Sequence, residues 1–227
     1  MKKLFLCIFL IAAIMSGCSN AKDPAVKKPT EKAGTQKTQP AKAKHYTIEL
    51  EAEKTPGFAG TEKEMGLLQE IIKSRVEQLG FTNISLGGID GQGLKVEFDA
   101  VEDMVAVLTK PGVIRFETED GKVVLTNKHV KEAVGFSDQQ TKEGMLQLLF
   151  SPEGEQIFKD VTQKNINKKL TIYLDDSVLM KAVISKQVTN GMVTLGGFKS
   201  GDDAMKVGFV IKNVLPTSLK VIKSQVK

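Results

Sequence analysis

The sequence predicts an α+β chain of antiparallel strands, built as a base that an inserted subdomain splits in two. Three observations predict it. Residues 46–109 follow the order strand, helix, strand, strand, helix. Residues 218–225 alternate as one more strand, with Leu219, Val221 and Lys223 opposite Lys220, Ile222 and Ser224. Residues 112–215 between them carry strands, turns and helices of their own. A βαββα run completed by a returning strand is a ferredoxin-like unit. The expected plan is therefore a ferredoxin-like base, residues 45–111 plus 216–227, with an α+β head, residues 112–215, inserted before the last strand.

The base elements follow from local pattern. In residues 46–53, Tyr46, Ile48, Leu50 and Ala52 alternate with Thr47, Glu49, Glu51 and Glu53, as in a half-buried strand. Thr61 and Glu64 form a capping box. The helix they open sets Met65, Leu68, Ile72, Val76 and Leu79 on one stripe and stops at Gly80. Residues 81–86 read as a strand. Residues 88–93 (GIDGQG) have the spacing of a dinucleotide loop, but that loop must open a helix. Here it opens another alternating strand, Leu94, Val96 and Phe98, so it is a glycine-rich hairpin. Asp99 is expected to cap a short helix through Leu108, with Val101, Val105 and Leu108 inward, ended by Pro111-Gly112.

The head opens with a hairpin, residues 113–119 and 122–125 about Asp120-Gly121. Thr126 is expected to cap a short helix through Ala133. Residues 145–150 form an apolar strand. Ser151 then caps a helix, with Pro152 at its first position and two glutamates at its positive end. Ile157, Phe158 and Val161 recur at helical spacing. Residues 169–174 and 178–184 are strands about the turn Asp175-Asp176. Thr189-Asn190-Gly191 turns the chain into residues 192–195, and Gly196-Gly197-Phe198 closes the stretch. The last helix starts at Ser200 and sets Ala204, Val207, Ile211 and Val214 on a stripe before Pro216.

One set of residues in this stretch carries a family pattern: Leu148, Phe150, Glu153, Gly154, Phe158, Thr162, Asn165, Lys169, Leu170, Ile172, Leu174, Asp175, Val178, Ala182, Ile184, Gly191, Gly197 and Phe198. It resembles the head of the first periplasmic domain of SecD, the protein-export membrane protein. Residues 74–81 (SRVEQLGF) resemble the base segment of the same family. The resemblance implies a ferredoxin-like base interrupted by a head, and it carries no catalytic group. Two departures stand out. The acidic GLDLxGG-like entry motif is missing near residues 50–55, and no segment matches the transmembrane helices whose carboxylates couple protons in that family.

The N-terminal residues read as an export leader. Lys2 and Lys3 precede an apolar run, residues 4–15, shorter than the roughly 20 residues a membrane span needs. The run ends in Ser16-Gly17-Cys18, which resembles a bacterial lipoprotein signal. That likeness implies a signal peptide over residues 1–17 and lipidation at Cys18, as a diacylglyceryl cysteine bearing palmitate-class chains. Residues 19–44 hold seven lysines and three prolines with almost no large apolar side chain. Such a stretch cannot bury enough surface to offset its ordering entropy and reads as a tether, roughly 85 Å at full extension.

Composition excludes several classes. Cys7 and Cys18 are the two cysteines, so the folded part can hold no disulfide, thiol nucleophile or Cys-based metal site. The net charge of +5 comes largely from leader and tether, which argues against nucleic acid. His45 and His129 lie in different subdomains and read as ordinary surface histidines. Asp175-Asp176 and Asp202-Asp203 suit a turn and a helix N-terminus better than a catalytic dyad. No catalytic residue, metal ligand or cofactor site is expected. The expectation is a membrane-anchored extracytoplasmic lipoprotein with a SecD-like domain, a non-enzymatic binding module. Its expected partners are the membrane through the lipid, and the Sec translocon or exported polypeptides. A structural adaptor of the cell envelope is the alternative.

Overall fold

The computed structural model describes residues 42–91, 93–102 and 104–227; Cys18, the leader and residues 19–41 of the tether lie outside them. The base comprises β1 (Lys44–Ala52), α1 (Glu62–Gln78), β2 (Thr82–Ile89), β3 (Gly93–Ala100) and α2 (Val105–Thr109). The head follows, with β4 (Ile114–Thr118), β5 (Val123–Thr126), a 3-10 turn (Asn127–His129), β6 (Val130–Ser137), β7 (Gly144–Phe150), α3 (Pro152–Lys164), β8 (Lys169–Leu174), β9 (Ser177–Val183), β10 (Met192–Phe198) and α4 (Gly201–Lys212). β11 (Leu219–Val226) returns to the base.

The base sheet has the order β11-β1-β3-β2, antiparallel throughout. This is the ferredoxin-like arrangement, with the last strand beside the first. Tyr46, Ile48, Leu50 and Ala52 of β1 and Leu94, Val96 and Phe98 of β3 are buried against Met65, Leu68, Ile72 and Val76 of α1. The capping box of α1 is formed, with Glu64 N–H donating to Thr61 Oγ1 and Thr61 N–H donating to Glu64. The stripe is thus held at its N-terminus by local bonds and along its length by burial.

The head has a separate core. Its two sheets, β5-β4-β8-β9 and β10-β7-β6, enclose Phe116, Phe150 and Phe158. The rings stand 5.0–6.1 Å apart, Phe116 edge-on to both others, a geometry that adds to their burial. Ser151 caps α3 through Gly154 N–H, and Ser200 caps α4 through Asp203 N–H. α4 lies close on β6: a Cβ on Gly135 would collide with the backbone at Ala204 and Met205. Glycine is therefore required at that crossing.

Five local expectations need correction. Asp99 caps no helix; it is in β3, and α2 starts at Val105 behind Met104. Val101, expected inward, is exposed. The run after Thr126 is a single 3-10 turn, because Val130–Ser137 finds a strand partner in β7 and tertiary pairing overrides weak helix propensity. His129 is buried, not a surface residue: its Nδ1 accepts from Thr126 N–H at 3.0 Å. In β11 only Leu219 is buried; Val221, opposite Leu50, shares its face but is left 38% exposed at the sheet edge, and the strand is held chiefly by its ladder to β1 from Tyr46↔Val226 to Ala52↔Leu219.

The chain passes from base to head near Pro111 and returns near Asn213. Arg75, on the buried face of α1, joins both passages. Its Nε donates to Asn213 O at 2.9 Å, and its Nη atoms donate to the carbonyls of Val107, Leu108, Lys110, Pro111 and again Asn213. Burial lowers its pKa to about 10, opposed by the charge of Asp175, so it stays cationic at neutral pH. Asp175 Oδ1 accepts from Gly112 and Val113 N–H at 2.8 Å each, and Asn127 Nδ2 donates to Gly112 O and Ile211 O. Gly112 has φ +86, and a Cβ there would strike Val210 O.

Arg75→Met should leave these carbonyls without their donors and cost about 3 kcal/mol or more. Urea unfolding should show it, with loss of a single cooperative transition for base and head. A change below about 1 kcal/mol would mean water replaces the guanidinium without cost.

Candidate functional site

A concavity lies where head and base face each other. It is a cleft of about 710 Å³, mostly apolar. The C-terminal end of α1 and the start of β2 form one wall, with Leu79, Phe81 and Thr82. The end of β3 and the segment after it add Ala100, Val101 and Met104. The head contributes Val134 and Gly135 of β6, and Met205, Lys206 and Phe209 of α4.

Sequence explains each wall. Phe81 is pinned by stacking on Phe98, ring centroids 4.5 Å apart, so the base wall is rigid. Gly135 lets α4 approach β6, which brings Val134 and Met205 to the same rim. Val101, Val134 and Met205 are 53, 52 and 50% exposed, an unusual concentration of accessible apolar side chains on one concave surface. Charged groups stand at the edge. Lys206 Nζ of the head meets Glu102 Oε2 of the base at 2.6 Å. Asp99 accepts from Asn83 Nδ2 and bonds to His45 Nδ1, each at 2.6 Å. Those partners, Asn83 first and His45 next, hold its carboxyl below the usual aspartate range.

The cleft offers apolar area, a few edge charges and an open mouth, which fits part of a chain-like guest. Of the carboxylates that sequence reasoning weighed as dyads, Asp202 lines the cleft and Asp175 is engaged elsewhere. Asp175 clamps the head's entry segment, accepting from Gly112 and Val113 N–H. Among the described residues no cluster of His, Cys, Asp and Glu is placed to hold a metal ion, and no helix is long and apolar enough to cross a membrane. Cys18, the one site residue named from sequence, lies outside the described residues.

Sequence reasoning missed the cleft because its walls come from the ends of distant elements. It also missed Arg75, although a signal exists: Arg75 falls three residues after Ile72 on the apolar stripe of α1.

Comparisons with known proteins bear on both halves. Residues 105–216 match the family model "SecDF, P1 head subdomain". "Protein translocase subunit SecD" of Dictyoglomus turgidum is 30% identical over 182 residues, covering 78% of this chain and 45% of the relative. The subunit of the same name from Acidaminococcus fermentans is 27% identical over 182 residues, covering 78% and 43%. The chain thus spans under half the length of these relatives. Among solved structures, "Crystal structure of SecDF in Super-membrane-facing form" superposes with a TM-score of 0.66 at 22% identity, over 81% of this chain and 30% of that one. "Structure and function of a membrane component SecDF that enhances protein export" superposes at 0.59 and 23% identity, over 78% and 98%. The mixed fold with antiparallel sheets is therefore that of SecDF periplasmic domains, base and head together.

Met205→Glu should place a carboxylate against the apolar wall. Binding of the dye bis-ANS to the purified chain should weaken by about ten-fold with the melting midpoint retained. Unchanged dye binding would place the accessible apolar surface elsewhere. The lowered pKa of Asp99 gives a second expectation. A depressed carboxylate stabilises above its unfolded-state pKa, and that contribution is lost as pH falls through the folded-state value. Urea titrations should therefore lose stability on the acid side less steeply in Asp99→Asn than in the parent chain.

Proposed function

From the premise that residues 105–216 match a SecDF P1 head subdomain on a SecD-type periplasmic fold, we propose that this chain is an extracytoplasmic binding module that assists protein export. The observation that carries the reading is the apolar cleft between base and head, which suits the side chains of an unfolded polypeptide. No bond-making step is part of this function. The module holds exported polypeptide, or docks on the Sec translocon while doing so.

In this reading Cys18 carries the lipids and anchors the module. The support is the Ser16-Gly17-Cys18 junction after a short apolar run, following the charged pair Lys2 and Lys3. Two acyl signals give stable attachment where one gives marginal binding. The chain divides accordingly into a signal peptide (1–17), a lipidated cysteine with its tether up to β1, a base (45–111 with 216–227) and a head (112–215).

Cys18→Ser should leave the chain unprocessed or release it from the membrane fraction. Normal cleavage with full membrane retention would contradict the anchor. A photocrosslinking residue at Val134 should capture exported polypeptides or translocon components in cells, and Met205→Glu should reduce the yield. Capture of other envelope proteins alone would favour the adaptor role instead.

A further inference from the structure

The base sheet has one edge that is open where the other is guarded. Among the described residues β2 pairs with β3 and with no other strand. An edge strand offers its outward N–H and C=O groups to any further strand, and charge or proline is the usual guard. β11, at the opposite edge, carries Lys220 and Lys223. β2 reads TNISLGGI, with no charge and no proline. Its regular pairing with β3 runs from Ser85 to Ile89, and Ser85, Gly87, Gly88 and Ile89 are exposed. A Cβ on Gly87 would meet nothing within 4 Å, so the face of the sheet is also open beside this edge.

This edge starts in the cleft. Thr82, the first residue of β2, lines the cleft beside Phe81. A guest held by an apolar side chain against Phe81 and Met205 has its main chain at the beginning of the open edge. We infer that β2 takes an extended, charge-poor segment of the guest polypeptide as a fifth strand of the base sheet. The inference rests on the polypeptide-binding function proposed above and supplies its mode of recognition. Main-chain hydrogen bonds do not depend on side-chain identity, so strand addition accepts many sequences. The cleft selects an apolar side chain, and the uncharged edge gives a charged segment no partner.

The test uses the full chain in nonionic detergent and a dye-labelled, capped peptide alternating threonine and valine around one phenylalanine. Its control is the same peptide with alternate amides N-methylated, which keeps the side chains and removes backbone donors. The parent chain should bind the plain peptide about ten-fold more tightly than the methylated one. Hydrogen exchange should slow at residues 85–89 on saturation. Ser85→Lys with Gly87→Lys should abolish both effects while the melting midpoint holds. If methylation and the lysines change nothing while Met205→Glu weakens binding, the cleft stands and strand addition is overturned. If the parent binds neither peptide, the polypeptide-binding function fails and this inference with it. If the lysines instead dissolve a dimer seen by sedimentation and no peptide slows exchange at β2, the edge belongs to a second copy and the inference is overturned.

Discussion

A buried guanidinium is the constraint on which the rest of the structure depends. Arg75 leaves water completely, which is costly for a cation unless its donors are met. They are met by carbonyls of the two segments that join base to head, Val107–Pro111 on the way out and Asn213 on the way back. The arrangement has a strict geometry because the guanidinium is planar and its N–H vectors are fixed. A lysine would satisfy fewer carbonyls, and an apolar residue none. The cost of burial is thus turned into a joint between base and head.

The cleft itself is a by-product of two well-packed bodies that meet along a limited seam. Each core is filled by its own aromatic cluster, Phe81 and Phe98 with Tyr46 in the base, Phe116, Phe150 and Phe158 in the head. Phe81, Ala100 and Met104 serve both the base core and the cleft wall, whereas Val101, Val134 and Met205 belong to neither core and remain accessible. The Lys206–Glu102 pair closes the seam from one side. An exposed ion pair contributes little to stability, so it constrains the opening without locking it.

Much of the fold was legible in sequence because it is written in short-range signals. The alternation of Tyr46, Ile48, Leu50 and Ala52, the Thr61–Glu64 box and the Ser151-Pro152 start each name an element without reference to anything distant. The errors fall where strand pairing, rather than local propensity, decides. Residues 130–137 become β6 because β7 is there to pair with them. Asp99 stays in β3 because β1 and β2 flank it, with Asn83 and His45 binding its side chain. The candidate site was illegible because α1, β2, β6 and α4 each contribute only an end or one face. Arg75 was half legible: its position on the apolar stripe marked it, but its carbonyl partners come from residues up to Asn213.

The split base also dictates an order of assembly. β1 finds one neighbour nearby, in β3, but the other, β11, pairs Tyr46 with Val226 across the whole inserted head. In a chain that emerges N-terminus first, the head can close on its local hairpins while the base still lacks a strand and shows a second open edge. Contacts so far apart in sequence form late, because a long loop must be closed before they contribute. Completion of the base is therefore the last event, and it reports that the entire head has been delivered and folded.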